Sequence, residues 1–110
     1  MEASVIPLLS ERDAARMALT FKGLADPTRL KILAVLLDEE INVSDLAQRV
    51  QTSQTAVSHQ LRILRNLRFV SSRREGTQIF YHIDDEHIED LFRKAYEHGL
   101  HLSERGRELL

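Results

Sequence analysis

The feature that most restricts this chain is a change of hydrophobic period after Leu67. Before it, apolar residues recur at helical spacing behind four separate start signals. Beyond it, Phe69 to Arg74 and Thr77 to Ile83 are rich in strand formers. Ser10-Glu-Arg-Asp13 fits a capping box, with Ala14, Met17, Ala18, Phe21 and Leu24 following at helical spacing. Asp26-Pro27 places a capping carboxylate before a proline whose fixed φ suits the first helical position. Behind it, Leu30, Leu33, Ala34 and Leu37 form the stripe of a second helix. Asn42-Val-Ser-Asp45 opens a short third helix carrying Leu46, Ala47 and Val50. Gln51-Thr52 is a tight connection, and Ser53 caps a fourth helix reaching about Leu67. Glu75-Gly76 reads as the turn of a hairpin. Asp84 or Asp85 then caps a last helix, with Ile88, Leu91, Phe92 and Ala95 on one side.

The expected fold is therefore mainly α with a small β-hairpin: a winged helix-turn-helix with N- and C-terminal dimerisation helices. It forms a single domain over 1–110. The helix-turn-helix falls at 43–67, the wing at 69–83 and the dimerisation helices at 10–25 and 85–102. At 110 residues there is room for one core. The longest apolar run, Ile32 to Leu37, is far shorter than the roughly 20 residues that span a bilayer. The N-terminus carries Glu2 and lacks a basic flank and an apolar h-region, so the expected location is cytoplasmic, with no membrane partner. The absence of cysteine excludes disulfides, thiol chemistry and thiolate metal sites. Any bound metal must be held by His, Asp or Glu.

The formal charge of −2 hides a strong asymmetry. Between Ser53 and Gln78 lie Arg62, Arg65, Arg68, Arg73 and Arg74 against a single acid, Glu75. The run from Asp84 to Asp90 then holds Asp84, Asp85, Glu86, Glu89 and Asp90. A basic surface within an acidic protein is the footprint of a face that meets phosphate. The fourth helix has the matching chemistry. At about 100° per residue, Gln54, Thr55, Ser58, His59 and Arg62 share one arc, while Val57, Leu61, Leu64 and Leu67 share the opposing one. Hydroxyls, an amide, an imidazole and a guanidinium beside a helix N-terminus can read base edges and hold phosphates. Ser53, Gln54, Thr55, Ser58, His59 and Arg62 are the candidate groove contacts. Arg73, Arg74, Thr77 and Gln78 are the candidate wing contacts to the minor groove or adjacent backbone, on double-stranded operator DNA.

Several segments carry a family resemblance. Leu24-Ala-Asp-Pro-Thr-Arg-Leu30, Val57-Ser-His-Gln-Leu61, Leu64-Arg-Asn-Leu67 and the Arg74-Glu-Gly-Thr77 wing resemble the ArsR/SmtB family of bacterial repressors, from about Ala14 to His101. The resemblance implies a winged-helix homodimer that binds an operator when metal-free and releases it when metal-bound. It also implies regulated genes for metal efflux or sequestration.

The last helix carries Asp85-x-His87 and, after ten intervening residues, His98-x-x-His101. Measured from His87, His98 lies about 20° and His101 about −40° around a helix, so the three imidazoles border the stripe of Leu91, Ala95 and Leu102. His87 and His98 are about 16 Å apart along one helix, whereas zinc ligands lie within about 2.0–2.2 Å of the ion. One helix cannot close such a site. Two antiparallel copies can, pairing Asp85 and His87 of one chain with His98 and His101 of the other in two equivalent sites. The zinc and cobalt sensors of the family show a D-x-H…H-x-x-(E/H) pattern, matched here by these four residues. Three imidazoles and a carboxylate suit Zn(II), then Co(II). Ni(II) ranks third, because nickel sensors of the family recruit N-terminal groups and Met1 to Leu9 holds no histidine. Asn42 stands where the cysteine of arsenic, lead or cadmium sensors would be.

By the same resemblance, the unligated nitrogen of His98 is a donor toward the end of the recognition helix near Arg68 and couples metal to DNA. His59 reads as a DNA or structural contact, and His82, alternating with Tyr81 and Ile83, as exposed. A winged-helix repressor answering to a non-metal inducer is the alternative. A zinc hydrolase would need an open water position with a neighbouring base or oxyanion loop, and the sequence offers neither. The chain is not expected to be an enzyme. A dimeric interaction module without DNA affinity is the remaining rival.

Overall fold

The computed structural model describes the backbone of residues 8–104 and side chains as far as residue 100. Each helix in that range begins where a side chain satisfies a first-turn amide that has no intrahelical partner. Helix α1 (Glu11–Leu24) is capped by Ser10 Oγ, which accepts from Asp13 N at 3.0 Å. Helix α2 (Pro27–Asp38) is capped by Asp26, accepting from Arg29 N at 2.9 Å, with the proline in the first turn. Helix α3 (Val43–Val50) is capped by Asn42, accepting from Asp45 N at 2.8 Å. Helix α4 (Gln54–Asn66) is capped by Ser53, accepting from Ala56 N at 3.1 Å. Of the two candidates ahead of helix α5 (Glu86–Glu104), Asp85 is the cap and accepts from Ile88 N at 3.1 Å.

Between α3 and α4 the chain turns at Gln51, whose φ of 57° is left-handed. Gln51 N donates to Gln48 O and Thr52 N to Ala47 O, closing the last carbonyls of α3. A three-stranded antiparallel sheet completes the domain, with strands β1 (Ile41–Asn42), β2 (Val70–Glu75) and β3 (Gln78–Ile83) in the order β1-β3-β2. The hairpin turn is Gly76-Thr77, one residue later than expected, with Glu75 still paired to Gln78 and Gly76 at φ +63°. Strand β1 has no counterpart in the sequence reading. Two residues carry no periodic signal, and their partners Tyr81 and Phe80 are about forty positions away.

The core is wholly apolar among the described residues. Ile32, Leu33 and Leu36 of α2 meet Leu46 and Ala47 of α3, Val57, Leu61 and Leu64 of α4, and Ile41, Phe69, Val70 and Ile88. The buried face of α2 differs from the expected stripe: Leu33 is in it, but Leu30 and Ala34 are exposed. This helix is apolar around most of its circumference, so periodicity alone does not fix its phase.

Helix α1 docks at its carboxyl end. Gly23 is buried, and a Cβ there would lie 2.5 Å from Leu67 Cδ1 and 3.0 Å from the Phe69 ring. The exposed carbonyls of α1 are taken by Arg29, whose Nε donates to Gly23 O at 2.9 Å and Nη2 to Lys22 O at 3.3 Å. Its Nη1 reaches Gln60 Oε1 on α4 at 3.2 Å, so one guanidinium ties α1, α2 and α4 together. Among the described residues no helix is long and apolar enough to cross a membrane.

Gly23→Val should force this junction apart. Overpacking of this kind costs about 1–3 kcal/mol, and urea unfolding at fixed protein concentration should show that loss.

Candidate nucleic-acid interface and metal ligands

Burial of Val57, Leu61 and Leu64 turns the other side of α4 outward. Gln54, Thr55, Ser58, His59 and Arg62 come together there around an open depression of about 480 Å³. Ser53 is beside them, but its hydroxyl is occupied as the helix cap. Gln54 Nε2 donates to Ser44 Oγ at 3.4 Å, linking the polar face of α4 to helix α3. The arrangement presents small donors and acceptors at the positive end of α4, with a guanidinium one turn further along.

The wing divides into two faces because side chains alternate along a strand. Val70, Tyr81 and Ile83 face the helices and join or pack on the core. Arg74 and Ile79 are paired across the hairpin and extend that same face beyond it, both exposed. Arg73, Glu75, Phe80 and His82 occupy the outer face. Arg73 is thoroughly engaged: Nε lies 2.8 Å and Nη2 2.7 Å from Glu40 Oε1, and Nη1 lies 2.7 Å from Glu75 Oε2. Its guanidinium carbon also stands 5.0 Å from the centre of the Phe80 ring. Hydrogen bonding to Glu40, then to Glu75, pushes the pKa of Arg73 up, and the bond from Arg73 chiefly pushes that of Glu40 down.

Thr77 and Gln78 line a hollow with Asn42, Val43 and Ser44, where Asn42 Nδ2 donates to Gln78 Oε1 at 3.3 Å. His82 corrects the expectation of a freely exposed ring. Its side chain is half-buried, with Nδ1 turned inward to 3.2 Å from Glu40 Oε2 but out of line for a hydrogen bond. Glu40, Gln60 and Arg29 were not singled out in the sequence. The Arg29–Gln60 and Glu40–Arg73 contacts span 31 and 33 positions, which no local pattern reveals.

Only part of the expected metal constellation is brought together within one chain. His87 Nδ1 lies 3.7 Å from Asp85 Oδ1 at the start of α5, and the imidazole is 86% exposed. His98 is exposed eleven residues further along, and the side chain of His101 lies outside the described residues. Among the described residues, no three His, Asp or Glu side chains converge as a metal site within this chain. The chemistry of the donors fits a borderline cation: an imidazole and a carboxylate meet in solvent, and a second imidazole shares their side of the helix. Arg68, with φ of 62°, turns the chain from α4 into β2 and is exposed beside Arg65, Ser71, Ser72 and Asp84.

Beside this histidine stripe is an apolar groove of about 490 Å³ between α1, the start of α2 and α5. It is lined by Phe21, Leu24, Ala25, Leu30, Leu91, Phe92, Ala95 and Tyr96. Phe21 and Tyr96 are 53% and 61% exposed. The radius of gyration is 16.3 Å, against about 13 Å for a compact chain of about 100 residues. The terminal helices extend away from the core with large apolar side chains uncovered.

Comparison with known proteins agrees with this architecture. Residues 26–72 match the model of the bacterial regulatory protein, arsR family. The chain is 43% identical to a transcriptional repressor SmtB homolog from Synechocystis sp., over 83% of this chain and 69% of that protein. It is 38% identical to a cadmium resistance transcriptional regulatory protein CadC homolog from Staphylococcus aureus, over 89% of this chain and 82% of that protein. Among solved structures it superposes on a homodimeric winged helix-turn-helix DNA-binding domain from Mycobacterium bovis. That match has a TM-score of 0.74 and 32% identity, covering 86% of this chain and 90% of that one. With its sequence relatives and its fold in agreement, the chain belongs to the ArsR family of winged helix-turn-helix bacterial regulators.

Proposed function

We propose that this chain is a homodimeric transcriptional repressor that holds operator DNA when metal-free and releases it when Zn(II), or next Co(II), binds between the two α5 helices. The observation that carries the reading is the uncovered apolar groove running beside His87 and His98. A second copy covering it through α1 and α5 removes Phe21, Leu91 and Tyr96 from water. An antiparallel pairing of the two α5 helices also brings Asp85 and His87 to His98 and His101 of the partner subunit. The homodimeric relative from Mycobacterium bovis supports the assembly, and the cadmium resistance regulator supports a metal as signal.

Asp85 has a double part in this reading. Oδ1 caps α5 and lies near His87, so the carboxylate is positioned by the helix start it stabilises. The metal supplies a cross-link between subunits. The chain supplies the lever, since the spacing of the two α4 helices must match successive major grooves about 34–36 Å apart. Tilting α1 and α5 against their copies alters that spacing through the junction of Gly23, Arg29 and Gln60. His98, by family resemblance, directs its unligated nitrogen toward the end of α4 near Arg68.

Mixing two variants tests the shared site. Asp85→Ala/His87→Ala and His98→Ala/His101→Ala should each lose stoichiometric zinc binding by calorimetry. Their heterodimer should regain one site, because it holds one intact set of four ligands. No recovery in a verified heterodimer would mean that the ligands do not come from two subunits. The interface makes a separate prediction. Tyr96→Glu should shift the protein from dimer to monomer in sedimentation velocity and weaken operator binding at least tenfold, since two half-sites then bind independently.

A further inference from the structure

The two adjacent wing arginines have different partners, and the sheet register explains how. Glu40 immediately precedes β1, where Ile41 pairs with Tyr81, so Glu40 stands opposite His82 on the outer face of the sheet. From there one carboxylate reaches two strands: Oε1 takes Arg73 of β2 and Oε2 approaches His82 of β3. Glu75 takes the remaining terminal nitrogen of Arg73, and Phe80, its cross-strand partner, lies beneath the guanidinium. Arg74 points to the other face, beside Ile79, on the side that packs against the helix-turn-helix. No side chain among the described residues makes a hydrogen bond or ion pair with it.

We infer that Arg73 and Glu40 are positioning residues that brace the wing from behind, and that Arg74 alone of the pair neutralises a DNA phosphate. This rests on the DNA-binding reading above and deepens it. All three guanidinium nitrogens of Arg73 face a carboxylate, and moving it to DNA would leave Glu40 and Glu75 unpaired near a polyanion. The bracing matters because the apolar anchors Val70, Tyr81 and Ile83 hold the base of the hairpin, while toward the tip β1 has only two residues and Asn42 Nδ2 donates to Gln78 Oε1. The clamp joins β2 and β3 to the loop that leads into α3, so the wing and the helix-turn-helix keep one relative orientation.

One experiment separates the two roles by their salt dependence. A 30-base-pair duplex enriched by the full-length metal-free protein from a randomised pool serves as probe, and affinity is measured across a salt series. Arg74→Ala should weaken binding and lower the slope of log K against log salt by about 1, as for loss of one phosphate contact. Arg73→Ala should weaken binding by about threefold or more with the slope unchanged. Glu40→Ala should weaken it similarly, and the double variant should be no worse than the poorer single. Simple electrostatics demands the reverse for Glu40→Ala, since removing an acid near DNA strengthens binding. Tighter or unchanged binding by Glu40→Ala, or a lowered slope for Arg73→Ala, overturns the inference while leaving DNA binding intact. Failure to enrich any duplex overturns the DNA-binding reading itself and this inference with it. All the substituted side chains are on the surface, and matching thermal melts establish that each variant is folded.

Discussion

The burial of one face of α4 is the constraint on which the rest depends. Val57, Leu61 and Leu64 are almost completely withdrawn from water against α2, α3 and the sheet. Each such side chain contributes about 1.5–3 kcal/mol relative to exposure. No alternative rotation of the helix buries an equivalent stripe, because the opposing arc carries Gln54, Ser58, His59 and Arg62. The polar face is therefore presented to solvent by the same packing that stabilises the domain. Everything around α4 supports that orientation: the left-handed turn at Gln51, the Ser53 cap, the bond from Gln54 to Ser44 and the guanidinium of Arg29 holding Gln60.

The terminal helices obey a different logic. Helix α1 is buried only at Gly23, near its carboxyl end, and Ile88 is the one buried residue of α5 among the described residues. Neither helix buries its apolar face within one chain. In the dimer proposed above, a second copy would cover both faces and set the His87 and His98 side of α5 at the seam rather than on an open surface. On that proposal, dimerisation, metal affinity and operator spacing would be properties of one interface, and a small tilt there would be registered at both α4 helices together.

What the sequence revealed was whatever is decided locally. Ser10, Asp26, Asn42, Ser53 and Asp85 all cap as their neighbours suggest, because a cap needs only the amide two or three residues ahead. The two-faced α4 was legible for the same reason. The phase of α2 was not, since a helix apolar nearly all round takes its rotation from what surrounds it. Strand β1, the inward turn of His82 and the engagement of Arg73 were also hidden. Each depends on Glu40 or on its neighbours reaching β3 and β2 across more than thirty intervening residues. Within the metal constellation, the nearness of Asp85 and His87 was readable from their spacing. The proposed pairing with the second half of the helix would be a property of two chains, which no single-chain pattern can display.

The most direct test follows the fluorescence anisotropy of a labelled duplex, selected by the metal-free protein, as Zn(II) is added to the complex. The account predicts that the duplex is released as the metal reaches one ion per chain. The operator affinity should fall by a factor of about 5–150, the usual span of allosteric coupling. A complex that keeps its full affinity after the protein has taken up its zinc would contradict it.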